Sequence, residues 1–234
     1  MGMTCTQNAN ILQGKYYVNN NWWGVGPGVT GGPQCVWGTC QTGDLVGWGT
    51  SWTNWGGTGG VKTYASLVFG WHYGVKVPNT GLPVQVSSTR QINCGWSFNV
   101  TTTGTYNVAY DIWLHSSDVV TNPSNTTPNE EVMIWLASAG GAGPIGPTVA
   151  SNVSLAGTTW DLHEGPGGAS WRVASYVRTR NATTAVMNLM EFFKDLASRG
   201  YIPNTWFVSG IEAGSEVFTG TGQLDTNGFY CRVQ

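Results

Sequence analysis

Glu131, Asp111, Glu212 and Glu216 are the residues of this sequence best placed to do chemistry together. The chain of 234 residues holds only twelve carboxylates, few enough to weigh one by one. In a β-strand, alternate residues share a face. In the run Glu130-Glu131-Val132-Met133-Ile134-Trp135-Leu136, Val132, Ile134 and Leu136 make an apolar face, and Glu131, Met133 and Trp135 make the other. In Asn107-Val108-Ala109-Tyr110-Asp111-Ile112-Trp113, the face opposite Val108, Tyr110 and Ile112 carries Asn107, Asp111 and Trp113. Between Trp206 and Phe218, one face reads Trp206, Val208, Gly210, Glu212, Gly214, Glu216 and Phe218. Its glycines leave room for a ligand or a second backbone. Three segments thus each offer a carboxylate beside an aromatic ring. Two readings are open: unrelated solvated acids, or the floor of a carbohydrate cleft. In the second, indoles stack on the apolar face of a pyranose and converging carboxyls carry acid–base work.

The elements that must hold these residues are short strands. Alternating stretches recur at 15–23, 84–86, 95–100, 106–114, 131–136, 171–179 and 206–218, with turn signals between them. Such spacing argues for a sandwich or jelly roll. One segment departs from it. From Thr184 to Arg199 the apolar positions Val186, Leu189, Met190, Phe193, Leu196 and Ala197 step by three and four, which predicts a helix with one buried stripe. Thr183 or Thr184 is the expected N-cap, and Gly200 stands where a left-handed C-terminal cap belongs. Glu191 and Asp195 on this helix read as solvated surface charges.

Composition narrows the class. There are 34 Gly and 13 Trp, while charged residues make up 9% and the net charge is −2. That charge offers no field for nucleic acid or an anionic membrane, and no apolar run approaches a membrane span. About half of the tryptophans are expected in the core and the rest in a sugar-binding groove. The three histidines and five cysteines lack metal-ligand spacing, so neither a metal nor a cofactor is expected. Disulfides in an exported protein are the better reading of the cysteines. Met1 and Gly2 read as a start replacing a leader and are set aside. No linker or composition break divides the chain, so one domain over 1–234 is expected.

At this point the motifs carry a resemblance. Asn20-Asn21-Trp22-Trp23-Gly24, Asn107-Val108-Ala109-Tyr110-Asp111, Glu131-Val132-Met133-Ile134-Trp135, Gly143-Pro144-Ile145-Gly146 and Ala213-Gly214-Ser215-Glu216-Val217-Phe218 resemble, in order, the motifs of glycoside hydrolase family 12. The resemblance implies an all-β fold: a two-sheet β-jelly roll sandwich whose concave sheet forms an open groove, with one helix on the convex side. It implies a secreted, retaining endo-β-1,4-glucanase acting on cellulose, mixed-linkage β-glucan or xyloglucan, and a monomer is expected. Glu131 would be the nucleophile, Glu216 the acid/base and Asp111 the aspartate beside the nucleophile. Asn21, Trp23, Asn107, Met133, Trp135, Pro144 and Ile145 would contact substrate. Glu212 could tune Glu216, bind a hydroxyl or hold structure together. Asp111 has a plainer reading as a turn or cap acid.

There are departures. Thr6, Gln7 and Asn8 follow Cys5 where the family often has a Trp. Trp71 and Lys76 stand where bacterial relatives often have a small disulfide. By the resemblance, Cys5 and Cys35 form the N-terminal bridge. Cys94 and Cys231 would form a second if their strands are neighbours, leaving Cys40 free. A Cys35–Cys40 bridge with Cys5 free is the competitor. Two other functions compete: a non-catalytic carbohydrate-binding module or lectin, and a xylanase of the related jelly-roll family.

Overall fold

The computed structural model describes residues 2–121, 126–168 and 170–234. Among them, eighteen strands and one helix follow in order. The first nine strands are β1 (Met3–Thr4), β2 (Asn10–Gln13), β3 (Tyr16–Asn19), β4 (Val29–Thr30), β5 (Gln34–Thr42), β6 (Leu45–Gly57), β7 (Thr63–His72), β8 (Val75–Lys76) and β9 (Val84–Gln85). Then come β10 (Ile92–Thr102), β11 (Tyr106–His115), β12 (Glu130–Ala139), β13 (Thr148–Leu155), β14 (Thr158–Pro166), β15 (Arg172–Arg178) and β16 (Thr184–Asn188). Helix α1 (Met190–Ser198), β17 (Phe207–Val217) and β18 (Gly220–Val233) complete the chain.

The strands form two sheets. The smaller runs β1-β5-β6-β18-β10-β16, with β4 on β6. The larger runs β13-β14-β15-β12-β11-β17-β7-β3-β2, with β8 on β7 and β9 on β17. Alternation fills the space between them. Val132, Ile134, Tyr110 and Ile112 from the larger sheet meet Trp48, Trp52, Trp96 and Phe229 from the smaller in one buried core. Trp96 packs edge-on to Tyr110 with ring centroids 5.3 Å apart, and its indole N–H donates to the Thr226 hydroxyl at 2.9 Å. This is the two-layer arrangement that the strand pattern predicts.

The predicted helix over 184–199 is shorter than its periodicity suggests. Residues 184–188 are strand β16, paired with β10 in a register that sets Met187 against Cys94. Val186 therefore points outward and is 68% exposed, off the buried stripe. The open edge of β10 offers backbone partners that a further helical turn could not use. Asn188, rather than Thr183 or Thr184, supplies the first side-chain acceptor, to the Met190 N–H at 3.2 Å. Gly200 does take the left-handed conformation, with φ +80°. The helix lies on the face opposite the groove, where Phe192 packs on Trp160 and Tyr176. Its two acids are not simply solvated. Asp195 accepts from the Tyr176 hydroxyl and from Arg199 Nε, both at 2.7 Å, and Glu191 accepts from the Ala156 N–H at 2.9 Å.

Cys5 is bonded to Cys35, and Cys94 to Cys231; Cys40 is free and exposed. Cys94 and Cys231 sit directly opposite each other on the paired strands β10 and β18. The Cys5–Cys35 link closes a loop of sequence separation 30. Removing it with Cys5→Ser and Cys35→Ala should cost about 3–4 kcal/mol in the chain-entropy description. Denaturant unfolding of the double variant measures this, and a non-reduced digest should yield an alkylated Cys40 peptide.

Candidate active site

Strands β12, β11 and β17 lie side by side and bring the acids together. Their register sets Trp113 opposite Glu131, and Asp111 between Met133 and Glu212. The side chains of Glu131, Asp111, Glu212 and Glu216 all leave the sheet on the face turned away from the core, as alternation predicts. Alternation fails within β17. The β11–β17 register shifts between Trp113 and Leu114, so that Leu114 pairs with Val208 and Trp113 with Gly210. The extra residue, Ser209, turns Val208 inward, where it is fully buried in the main core, and Trp206 packs against the same core. The predicted groove face of β17 thus begins at Gly210. A bulge of this kind flips the remaining side chains.

The glycines of β17 serve a second backbone rather than a ligand. A Cβ on Gly210 would collide with the Trp71 carbonyl oxygen, and one on Gly214 with the Ala65 carbonyl oxygen. Strand β7 can therefore approach closely, bringing Tyr64, Ser66 and His72 beside the acids.

These strands floor a groove of about 690 Å³. Of the residues singled out from sequence, Asn21, Trp23, Met133, Trp135, Pro144, Ile145, Asp111, Glu131, Glu212 and Glu216 all line it. Trp23 is 62% exposed. Trp22 turns the other way and packs edge-on to Trp55 at 5.4 Å. Asn107 is different: it is fully buried behind Glu216. Its Nδ2 donates to Glu216 Oε2 and its Oδ1 accepts from the Glu216 N–H at 3.1 Å. Glu212 is also buried, accepting from Ser66 Oγ at 2.6 Å and from Trp113 Nε1 at 2.7 Å, with His72 Nε2 at 3.4 Å.

Sequence reading missed several lining residues, among them Asn8, Tyr64, His72, Tyr73 and Trp171. Asn8 follows Cys5 where a Trp was noted as missing, and its Oδ1 accepts from the Trp22 N–H at 3.1 Å. His72 and Tyr73 lie on the β7–β8 hairpin, which needs no disulfide. Trp71 and Lys76 pair directly across it, and Lys76 Nζ donates to the Val120 carbonyl at 2.6 Å. Trp171 was within reach of the alternation test, because it shares a face with Val173, the partner of Glu131. Its Nε1 donates to Glu131 Oε2 at 2.8 Å.

The groove holds Asp111, Glu131 and Glu216 protonated more strongly than water would. Burial pushes Glu131 up to about 7, against the Trp171 hydrogen bond, which favours the anion. Burial and then the charge of Glu131 push Glu216 up to about 8, with Asn107 pulling the other way. Asp111 is raised well above its ordinary range by burial first and then by Glu131, Glu212 and Glu216. Burial and its acidic neighbours both favour its protonated form. Among the described residues no His/Cys/Asp/Glu group has the arrangement of a metal site.

A two-sheet sandwich with two half-buried glutamates in an aromatic-lined groove defines a polysaccharide-cleaving glycosidase. The sequence profile of glycosyl hydrolase family 12 matches residues 14–234, and the chain belongs to that family. The chain is 35% identical to "Endoglucanase S" of Pectobacterium parmentieri over 217 residues, covering 90% of this chain and 79% of that protein. It is 34% identical to "Xyloglucan-specific endo-beta-1,4-glucanase A" of Emericella nidulans over 220 residues, covering 93% and 84%. Its fold superposes on a family 12 xyloglucanase from Bacillus licheniformis with a TM-score of 0.89, at 34% identity over all of both chains. The protein is accordingly a retaining endo-β-1,4-glucanase, and neither a lectin nor a binding module is favoured.

Trp23 and Trp22 form an internally controlled pair. Trp23→Ala should weaken binding of long oligosaccharides by about 1–3 kcal/mol through loss of a stacking face, seen as a raised KM with the melting temperature kept. Trp22→Ala should lower the melting temperature and leave KM nearly unchanged.

Proposed function

We propose that Glu131 is the nucleophile and Glu216 the acid/base of β-1,4-glucan hydrolysis, with residues 1–234 acting as one catalytic domain. The observation that carries this reading is the asymmetry of the two glutamates. Both face one groove, but they have different partners: the Trp171 indole N–H donates to Glu131 Oε2 at 2.8 Å, whereas Asn107 holds Glu216 by both its carboxylate and its backbone N–H. Retention requires one ionised and one protonated carboxyl about 5–5.5 Å apart.

In the first step a Glu131 oxygen bonds to the anomeric carbon. The glycosidic C–O bond breaks, and its oxygen takes the Glu216 proton. In the second step Glu216 accepts a proton from water, the water oxygen bonds to the anomeric carbon, and Glu131 leaves with its electron pair. Asp111, which burial and its acidic neighbours push toward its protonated form, lies on the strand between those of Glu131 and Glu216. Asn107 is a positioning residue for Glu216 rather than a substrate contact. Trp23, Asn21, Met133, Trp135, Pro144 and Ile145 are the sugar contacts of this reading.

The substrate is a soluble or hydrated β-1,4-glucan chain, and the relatives named for endoglucanase and xyloglucanase activity support both unbranched and xylosyl-branched forms. The two disulfides support an extracellular setting, and the protein is read as a secreted monomer.

Glu131→Gln should lower turnover on β-glucan by several orders of magnitude while preserving the melting temperature and oligosaccharide binding. Proton NMR of wild-type digests should show the β-anomer of the new reducing end first. A variant keeping about a tenth of the rate or more would sink the nucleophile assignment.

A further inference from the structure

Trp171 stands just before β15 and reaches across it to the carboxyl on the neighbouring strand. The indole N–H lies 2.8 Å from Glu131 Oε2. The ring is held from both sides. It meets Trp113 edge-on with centroids 6.3 Å apart, and it packs against both the Trp113 cluster and the Met133–Trp135 cluster of the groove. The backbone at Gly167 and Gly168 lies directly on it, so close that a Cβ on either residue would meet the indole. The Gly167 N–H donates to the Trp171 carbonyl at 3.1 Å and closes the turn. The side chain is thus fixed before any sugar arrives.

An indole N–H donates and cannot accept. It stabilises a carboxylate and has no lone pair to accept the O–H of a protonated carboxyl. It also brings no charge, unlike Arg or Lys, and so leaves the neighbouring acid's proton in place. The titratable groups that face Glu131 are Asp111 from β11, Glu212 and Glu216 from β17, Tyr64 and His72 from β7, and Tyr73 beyond it. Its chain neighbour Glu130 lies on the other face of β12. None of the carboxyls in this set favours a second negative charge.

We propose that Trp171 is the positioning residue of the nucleophile: its N–H holds Oε2 of Glu131, keeps that carboxyl ionised among its acidic neighbours, and presents Oε1 to the anomeric carbon. The inference rests on Glu131 being the nucleophile.

The experiment uses 2,4-dinitrophenyl 2-deoxy-2-fluoro-β-cellobioside. A Glu131 oxygen bonds to the anomeric carbon and dinitrophenolate leaves with the electron pair. No proton from Glu216 is needed, so the acidic limb of the inactivation rate reports Glu131. Peptide mass spectrometry should place the label on Glu131 in both the wild type and Trp171→Phe. Phe keeps the ring packed on Trp113, so the melting temperature should hold. The variant should inactivate about tenfold more slowly at neutral pH. Loss of the donor makes the carboxylate harder to form, so the acidic limb should move up by about one pH unit.

A rate within twofold of wild type with an unmoved limb would overturn the proposal. So would a slower rate with an unmoved limb, which is what a purely structural role gives. A wild-type label on any residue other than Glu131 would remove the nucleophile reading, and this inference with it. A Glu131 label with an unmoved limb removes this inference alone.

Discussion

The charge that cannot spread is the constraint on which the site depends. Asp111, Glu131, Glu212 and Glu216 share one partly buried groove, where each negative charge raises the cost of the next. The structure answers by giving each acid a different partner. Glu212 takes two neutral donors, Ser66 and Trp113. Glu131 takes the Trp171 indole. Glu216 is held by Asn107, and Asp111 is pushed toward its protonated form by burial and its neighbours. Double displacement needs that inequality, because one glutamate must attack as an anion while the other arrives as an acid.

The scaffold delivers these partners through backbone geometry. β11 sits between β12 and β17, so each acid is one strand away from Asp111. The bulge at Ser209 lets β17 turn Val208 into the core while keeping Glu212 and Glu216 on the groove. Gly210 and Gly214 admit β7, which supplies Ser66 to Glu212. On the far side of the sheet, Tyr110, Ile112, Val132 and Ile134 anchor the same strands in a core filled by tryptophans of the smaller sheet. Packing on one face therefore fixes the aim of the carboxyls on the other.

Much of this was legible in the sequence because alternation along a strand is a strict code. Glu131 with Met133 and Trp135, and Asp111 with Trp113, fell on one face by counting alone. Where the code breaks, the reading broke too. Val208 and Trp206 were assigned to the groove because a bulge is invisible to a period of two. The first turn of the predicted helix is strand β16, because a free sheet edge can override a helical period in so short a segment. Asn107 was placed in contact with sugar, although it is buried behind Glu216. That depth depends on how far one side chain extends past another, which spacing does not encode. Asp195 and Glu191 looked like solvated charges because their partners, Tyr176 and the Ala156 N–H, come from other elements.

The central claim is that the two glutamates hold their protons unequally because they share one buried field. Carboxyl carbon NMR titration of the ¹³C-labelled enzyme, with Glu131 and Glu216 assigned through their Gln variants, tests it most directly. Activity requires Glu131 ionised, which is lost as pH falls through about 7, and Glu216 protonated, which is lost as pH rises through about 8. The expected titration shows Glu131 losing its proton first and Glu216 second, both above the ordinary 4.5. In Glu131→Gln, the Glu216 step should move to lower pH, because the neighbouring charge is gone. Two coincident steps near 4.5, or a Glu216 step that stays in place when Glu131 is neutralised, would contradict it.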